Sequence, residues 1–136
     1  MPICCVELLF RDGSDILLVK RKQHPAKDQW WFPGGRIHKN ETVQDAAIRK
    51  AKEELNLDVY FEKVVKVYEV MFKQGPFDLK TGIHSINILV EVKPQTTPIL
   101  HKHIKLDQNH SDWVFMNDNC IDKMLKIKGV VYKHLI

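Results

Sequence analysis

The sequence predicts an α/β domain in which a mixed β-sheet is covered by helices. Runs of β-branched and aromatic residues alternate along the chain with two or three helical segments, and this alternation is typical of a sheet with helices packed on it. The length of 136 residues suits a single domain, residues 1–136, with one core. Apolar residues make up 44% of the chain and charged residues 28%, as in an ordinary soluble globular protein.

The first part of the chain predicts a β-hairpin followed by a glycine turn. An apolar strand over Ile3–Phe10 precedes a turn at Arg11–Ser14, and a short strand over Ile16–Arg21 completes the hairpin. A polar loop over residues 22–29 leads to three aromatic residues expected in the core, Trp30, Trp31 and Phe32, although one of them could instead border a ligand. Pro33-Gly34-Gly35 follows, where glycine leaves the backbone free to turn.

The strongest helix signal covers Thr42–Leu55. Apolar residues recur there at helical spacing and form one buried stripe: Val43, Ala46, Ala47, Ala51 and Leu55. Asn40, or Glu41 together with Thr42, can cap the first turn. Asn56 comes just after the last turn, where the left-handed conformation is usual and Asn is the best residue after glycine.

The second half of the chain predicts strands and a last helix, separated by loops. In order they are strand Val59–Phe72 (one strand or two), loop 74–82, strand Ile83–Val92, loop 93–103, polar turn Leu106–Ser111, strand Trp113–Met116 and a helix that starts at Asp118 and covers roughly Cys120–Lys126. That helix could continue to Ile136.

Charge, hydropathy and cysteine usage exclude several classes of protein. The formal net charge of +4 suits an acidic ligand such as a nucleotide, but no basic cluster is long enough to predict nucleic-acid binding. No apolar run approaches the roughly 20 residues of a membrane span, and the first ten residues do not resemble a signal peptide. Three cysteines without Cys-x-x-Cys spacing predict buried or free thiols in a reducing cytoplasm.

The predicted helix carries a group of charges that can hold a metal ion. Positions 50, 53 and 54 share one side of a helix, so Glu53 and Glu54 project from a patch beside Lys50. Adjacent carboxylates suit Mg²⁺ or Mn²⁺, with phosphate oxygens completing the coordination. Arg49 points to another side and can pair with Glu41, which would hold the preceding loop against the helix.

Residues 33–59, PGGRIHKNETVQDAAIRKAKEELNLDV, resemble the Nudix box. Its pattern is Gly, five residues, Glu, seven residues, Arg-Glu, an aliphatic residue, any residue, Glu-Glu, any residue, Gly and an aliphatic residue. Seven positions are in register: Gly35, Glu41, Arg49, Ala51, Glu53, Glu54 and Leu57. Lys50 replaces the Glu that follows Arg, and Asn56 replaces the second Gly. The resemblance implies an α/β/α sandwich around a mixed sheet and a metal-dependent hydrolase.

Two runs, WWFPGGRIHKNET and LDQNHSDW, are similar to the GDP-mannose mannosyl hydrolase branch of that family, which also lacks the Glu after Arg. Enzymes of that branch hydrolyse the sugar C1–O bond. Water attacks carbon, a histidine acts as base, and Mg²⁺ with arginines helps GDP to leave. The resemblance implies that His110 is the base, a role that suits histidine because its side chain ionises near neutral pH.

The same resemblance implies the metal ligands. Gly35 would offer a backbone carbonyl to Mg²⁺, or to Mn²⁺, and Glu54 would offer a carboxylate. Asn109 stands where relatives have a glutamine ligand, and Gln108 could take its place. Glu53 would be an additional ligand or would orient Glu54 through water.

The resemblance also implies residues that contact the substrate. Arg21 and Arg36 match arginines that contact the diphosphate, a task suited to the two-pronged guanidinium group. Lys50 lies within reach of a leaving diphosphate, and Glu7 falls near an acid that contacts the base or the sugar. Ser85 stands where the branch has a tyrosine that assists the leaving group.

Three functions fit these residues. The first is a Mg²⁺-dependent GDP-sugar hydrolase that releases GDP and free mannose or glucose. The second, favoured by Glu53, is a pyrophosphohydrolase that cleaves the P–O–P bridge of a nucleotide sugar or a nucleoside triphosphate. The third, favoured by Lys50, Asn109 and Ser85, is a module that binds a nucleotide sugar without turnover. We expect a nucleotide-sugar substrate, a homodimer, and neither nucleic acid nor membrane as partner.

Overall fold

The computed structural model describes residues 2–22, 28–72, 83–96, 99, 101–121 and 130–134. Within these residues the chain forms nine strands in two sheets and one α-helix packed against them. In order they are β1 (Ile3–Leu9), β2 (Arg11–Asp12), β3 (Asp15–Arg21), β4 (Trp30–Trp31), β5 (Gly34–Arg36), α1 (Val43–Leu55), β6 (Val59–Phe72), β7 (Ile83–Pro94), β8 (His110–Asn117) and β9 (Val130–His134). The predicted α/β class, with a mixed sheet and a helix packed on it, is confirmed.

The larger sheet has the strand order β5-β1-β7-β6-β9. It is mixed because β1 pairs in parallel with β7, whereas the other neighbours are antiparallel. Side chains alternate across β1. Val6 and Leu8 join the core cluster that contains the buried face of α1, while Leu9 belongs to a second cluster that also contains Trp31 and Tyr68. The sheet therefore separates two apolar cores.

The smaller sheet contains β2, β3 and β4 in that order, with β8 paired to the other edge of β3. The predicted hairpin is much shorter than expected, because β1 pairs with β5 and β7 and not with β3. Only Arg11 and Asp12 pair with the start of β3. The parallel partner of β1 lies some 80 residues further along the chain, so this pairing depends on long-range packing that a local pattern does not reveal.

The helix follows its sequence signals closely. Val43–Leu55 is helical, and the hydroxyl of Thr42 caps it by accepting a hydrogen bond from the backbone N–H of Asp45 at 3.0 Å. Asn56 ends it in the left-handed conformation with φ of 57°. The predicted apolar stripe is buried in the core at Ala46, Ala47, Ala51 and Leu55.

The second half departs from prediction at its end. β6 is one strand with two register shifts, and β8 begins at His110, so the polar turn ends at Asn109, two residues earlier than predicted. The predicted helix begins as a 3-10 turn over Asp118–Cys120, and beyond residue 121 it lies outside the described residues. A helix continuing to Ile136 is wrong, because Val130–His134 is a strand paired with β6.

Among the described residues, no helix has the length and apolar character needed to span a membrane.

Candidate metal and catalytic site

Three side chains from two parts of the chain meet beside the end of α1. Glu54, Asp107 and His110 each place one potential ligand atom within 4.8 Å of the others. Glu54 and His110 are buried, with 4% and 6% of their surfaces exposed. The two carboxylates suit a divalent cation such as Mg²⁺ or Mn²⁺, and the imidazole lies beside them. The donor set therefore fits a divalent metal ion.

Asp107 reaches this cluster because its segment closes the end of the helix. The last carbonyls of a helix have no partner within it. Here the backbone N–H of Lys105 donates to the carbonyl of Leu55 at 3.0 Å, and that of Asp107 donates to the carbonyl of Glu54 at 3.3 Å. Ile104, which directly precedes Lys105, is buried in the core. These contacts hold the backbone of Asp107 against Glu54, whose carboxylate belongs to the cluster.

A bulge directs His110 inward. In the pairing of β3 with β8, Lys20 faces Asp112 and Arg21 faces His110, so Ser111 is skipped. An extra residue of this kind re-aims the neighbouring side chain. His110 is buried, whereas Ser111 and Asp112 are exposed.

His110 and Asp107 form a close hydrogen-bonded pair. Nδ1 of His110 lies 2.7 Å from Oδ1 of Asp107. The same oxygen accepts a hydrogen bond from the backbone N–H of Asn109 at 3.1 Å. With Oδ1 engaged in this way, Oδ2 is the atom that Asp107 can offer to an ion. The pair can hold the imidazole in one orientation.

Glu54 is a buried carboxylate supported by several donors. Burial raises the pKa of Glu54, while the charges of Lys50 and His110 and a hydrogen bond from Gly34 act in the opposite direction. That bond runs from the backbone N–H of Gly34 to Oε2 of Glu54 at 2.8 Å. Gly34 has φ of +151°, and a Cβ at this position would lie 2.1 Å from the carbonyl oxygen of Val6. Only glycine fits there without a shift of the backbone.

Glu53 lies apart from this cluster. Its side chain is 49% exposed and accepts hydrogen bonds from Nη1 of Arg49 at 3.1 and 3.2 Å. Arg49 also donates to both oxygens of Glu41, at 2.7 and 2.9 Å, and to the carbonyl of Arg36 at 2.9 Å. The predicted Arg49–Glu41 pair is therefore present. Its hydrogen bonds, with one from the backbone of His38, lower the pKa of Glu41 to about 2.

The two arginines differ in environment. Arg21 is partly buried, and burial lowers its pKa, whereas the charges of Glu54 and Glu7 raise it. Arg21 therefore interacts electrostatically with both acids. Its pairing partner on the adjacent strand β8 is His110. Arg36 is exposed at the end of β5 and pairs with Cys5 of β1.

Glu7 is enclosed within the core. Its surface is 3% exposed, and its carboxylate accepts hydrogen bonds from Nε1 of Trp31 at 2.5 Å and from the hydroxyl of Tyr68. Burial raises the pKa of Glu7, and these donors lower it. Through these two hydrogen bonds Glu7 connects β1 to Trp31 of β4 and to Tyr68 of β6.

The remaining predicted residues differ in burial. Asn109 and Gln108 are exposed, and Asn109 contacts the cluster through its backbone N–H. Ser85 is buried on β7. Asp107 was not predicted from the sequence as a site residue. Its position three residues before His110, within LDQNHSDW, could have indicated it.

The model of the NUDIX domain family matches residues 3–134 of this chain. The chain belongs to the Nudix family. The Low-salt glycan biosynthesis protein Agl8 of Haloferax volcanii is 32% identical over 111 residues, which are 82% of this chain and 68% of that protein. An ADP-ribose pyrophosphatase of Methanocaldococcus jannaschii is 36% identical over 67 residues, 49% of this chain and 40% of that protein.

Solved Nudix structures share the fold. A MutT protein from Methanosarcina mazei Go1 superposes with a TM-score of 0.67 at 19% identity, covering 94% of this chain and 84% of its own. The family supports a Nudix hydrolase that acts on a nucleotide-linked substrate. Nudix hydrolases generally use divalent metals, and the Glu54–Asp107–His110 cluster could bind one.

Proposed function

We propose that this Nudix hydrolase acts on a GDP-sugar, GDP-mannose or GDP-glucose, by attack of water at C1 of the sugar, and releases GDP and free sugar. The observation that carries the proposal is the buried His110 held at 2.7 Å by Asp107 beside Glu54. A histidine in that setting suits a general base acting on water. The glycan-biosynthesis relative supports a sugar-linked substrate.

In this proposal a divalent ion, Mg²⁺ or Mn²⁺, would be held by Glu54, by Asp107 and by the backbone carbonyl of Gly35, with Asn109 or Gln108 and Glu53 as further candidates. When bound, it would neutralise charge on the departing diphosphate. Attack at carbon makes a modest set of ligands sufficient, since the ion need not also activate the water.

The chain's own residues supply the remaining steps. His110 accepts a proton from water as the water oxygen bonds to C1, and the bond from C1 to the phosphate oxygen breaks, so that GDP leaves with the electron pair. Asp107 accepts a hydrogen bond from Nδ1 of His110 and keeps Nε2 available for that proton. Arg21, which faces His110 across the sheet, contacts the diphosphate with Arg36 and Lys50.

The enclosed position of Glu7 changes its proposed part in binding. Its oxygens are engaged by Trp31 and Tyr68, so we propose that it shapes the site through those two rings. Ser85 is buried on β7 and supplies no phenol of its own.

A second candidate is cleavage of the P–O–P bridge, which the similarity to an ADP-ribose pyrophosphatase favours. Incubation with GDP-mannose and Mg²⁺ in ¹⁸O-labelled water separates the two. Free mannose that carries the label supports attack at carbon, whereas GMP and sugar phosphate would replace that proposal with the second candidate. Thermal stabilisation by GDP-mannose without any product would instead indicate a binding module.

His110→Gln tests the base within the same assay. We expect its turnover to fall by roughly 10²- to 10⁴-fold, the usual contribution of a general base. A variant with near-normal turnover would remove His110 from the mechanism.

A further inference from the structure

Lys50 occupies an unusual place between the two acids of the helix. Its ammonium nitrogen lies 3.3 Å from Oε2 of Glu53 and 3.5 Å from Oε1 of Glu54. Its side chain is 16% exposed, far less than the 49% of Glu53. A positive charge therefore bridges the adjacent carboxylates that a divalent ion could otherwise bridge.

The bare backbone of Gly35 makes room for this ammonium. A Cβ on Gly35 would lie 2.7 Å from Cε and 2.9 Å from Nζ of Lys50, distances that real side chains essentially never show. The lysine stem therefore lies flat against the glycine. The ammonium sits over the strand segment whose carbonyl is proposed to face the metal ion.

The surrounding charges divide into two groups. Glu53 is matched by Arg49 and Lys50, which contact it at 3.1 and 3.3 Å. Glu54 contacts Lys50 through Oε1 and also belongs to the cluster with Asp107 and His110. A divalent ion fits that cluster, where Glu54 and Asp107 converge. Between Glu53 and Glu54, a divalent ion would have to approach an ammonium that already contacts both acids.

We propose that Lys50 is a built-in cation that takes the place of a second divalent ion, so that the site holds one. Replacing an exchangeable ion by a side chain leaves one face of Glu54 permanently neutralised and keeps a fixed positive charge beside the diphosphate. This inference deepens the proposed function, on whose metal centre it rests, but the number of ions does not depend on which bond is cleaved. The labelled-product assay can therefore refute attack at carbon without refuting this inference, and the Mn²⁺ count can refute this inference without refuting attack at carbon.

Counting bound Mn²⁺ tests the inference directly. Purified full-length protein freed of metal by a chelator is titrated with Mn²⁺, and free Mn²⁺ is measured by electron paramagnetic resonance. We expect one ion per chain for the natural protein and two for Lys50→Glu, which adds a third carboxylate beside Glu53 and Glu54. Lys52→Glu is the matched control, because it makes the same charge change two residues along the helix at a side chain that is exposed and paired with Asp58. It should still bind one ion.

Two ions in the natural protein would overturn the inference, as would a single ion in a Lys50→Glu variant with normal circular dichroism. If Lys50→Glu does not fold, Lys50→Gln makes the same comparison without adding a charge. Removal of the ammonium should then allow a second Mn²⁺ ion to bind within the titration range, at least ten-fold more tightly than any second binding to the natural protein. An unchanged second affinity in Lys50→Gln would contradict the role of Lys50.

Discussion

The Asp107–His110 pair makes a quantitative prediction for Asp107→Asn. The substitution keeps the size of the side chain but removes the charge from a 2.7 Å hydrogen bond between side chains that are 20% and 5% exposed. A hydrogen bond to a charged group contributes about 1.5–3 kcal/mol. Because each 1.36 kcal/mol corresponds to about ten-fold in rate, loss of the charge should lower kcat by roughly 10- to 100-fold.

Asp107 can also bind the metal ion, so the assay has to separate the two effects. Turnover of GDP-mannose should be measured over a range of Mn²⁺ concentrations up to saturation. If Asp107 positions His110, the loss in kcat persists at saturating Mn²⁺. If Asp107 serves only as a ligand, excess Mn²⁺ restores kcat.

Asp112→Asn is the matched control, because Asp112 is an exposed acid on the same strand as His110. It should leave kcat within about two-fold of the natural value, as expected for a surface change away from the site. Asp107→Asn with near-natural kcat, or with kcat fully restored by Mn²⁺, would refute the positioning role.

Three stability predictions follow from local geometry. Gly34→Ala should lower the free energy of unfolding in urea by about 3 kcal/mol or more, because its Cβ would meet the backbone of Val6. Gly13→Ala is the control: its Cβ would have nothing within 4 Å, so it should cost only about 1 kcal/mol. Equal losses in the two variants would contradict the clash at Gly34. Asn56→Gly should change stability by less than about 1 kcal/mol, and Asn56→Ala should destabilise, because φ is 57° at the cap; a neutral alanine would oppose that explanation. The depressed pKa of Glu41 stabilises the fold above pH 4.5, and that contribution is lost as pH falls towards about 2. Glu41→Gln should therefore flatten the dependence of unfolding free energy on pH in this window, and an unchanged slope would speak against the Arg49 contact.

Local signals predicted the helix well because each of its boundaries depends on neighbouring residues. Thr42 caps the first turn through a bond only three residues away, and Asn56 ends the helix through its own backbone conformation. The pairing between Arg49 and Glu41 was also predictable, since helix geometry and the preceding turn bring them together. The resemblance to the Nudix box rested on this same local segment.

Strand partners were predicted less well because they depend on distant parts of the chain. β1 was expected to pair with the next strand but pairs with β7. The last strand, Val130–His134, carries a β-branched and aromatic run that could have signalled a strand. Pairing with β6, about 60 residues earlier, makes that run part of the sheet. Tertiary context of this kind decides between helix and strand for short segments.

The candidate site shows the same division between local and distant causes. From the sequence, Glu53 and Glu54 are neighbours on one helix and look equivalent. In the structure Glu54 is buried against Gly34 and Asp107, while Glu53 faces solvent and pairs with Arg49. The difference arises because the end of α1 is closed by the segment that carries Asp107, and the bulge in β8 then brings His110 to the same carboxylate.

That asymmetry explains how Lys50 can occupy a position at which the Nudix pattern has a glutamate. A glutamate there would add a third carboxylate beside Glu53 and Glu54, and a further divalent ion would be needed to balance the three. Lys50 balances Glu53 and Glu54 without an ion, while Glu54 still forms a cluster with Asp107 and His110. Lys50 therefore fits a reaction in which one ion assists the leaving group and a histidine activates the water. The Mn²⁺ count and the labelled products test the two halves of that statement separately.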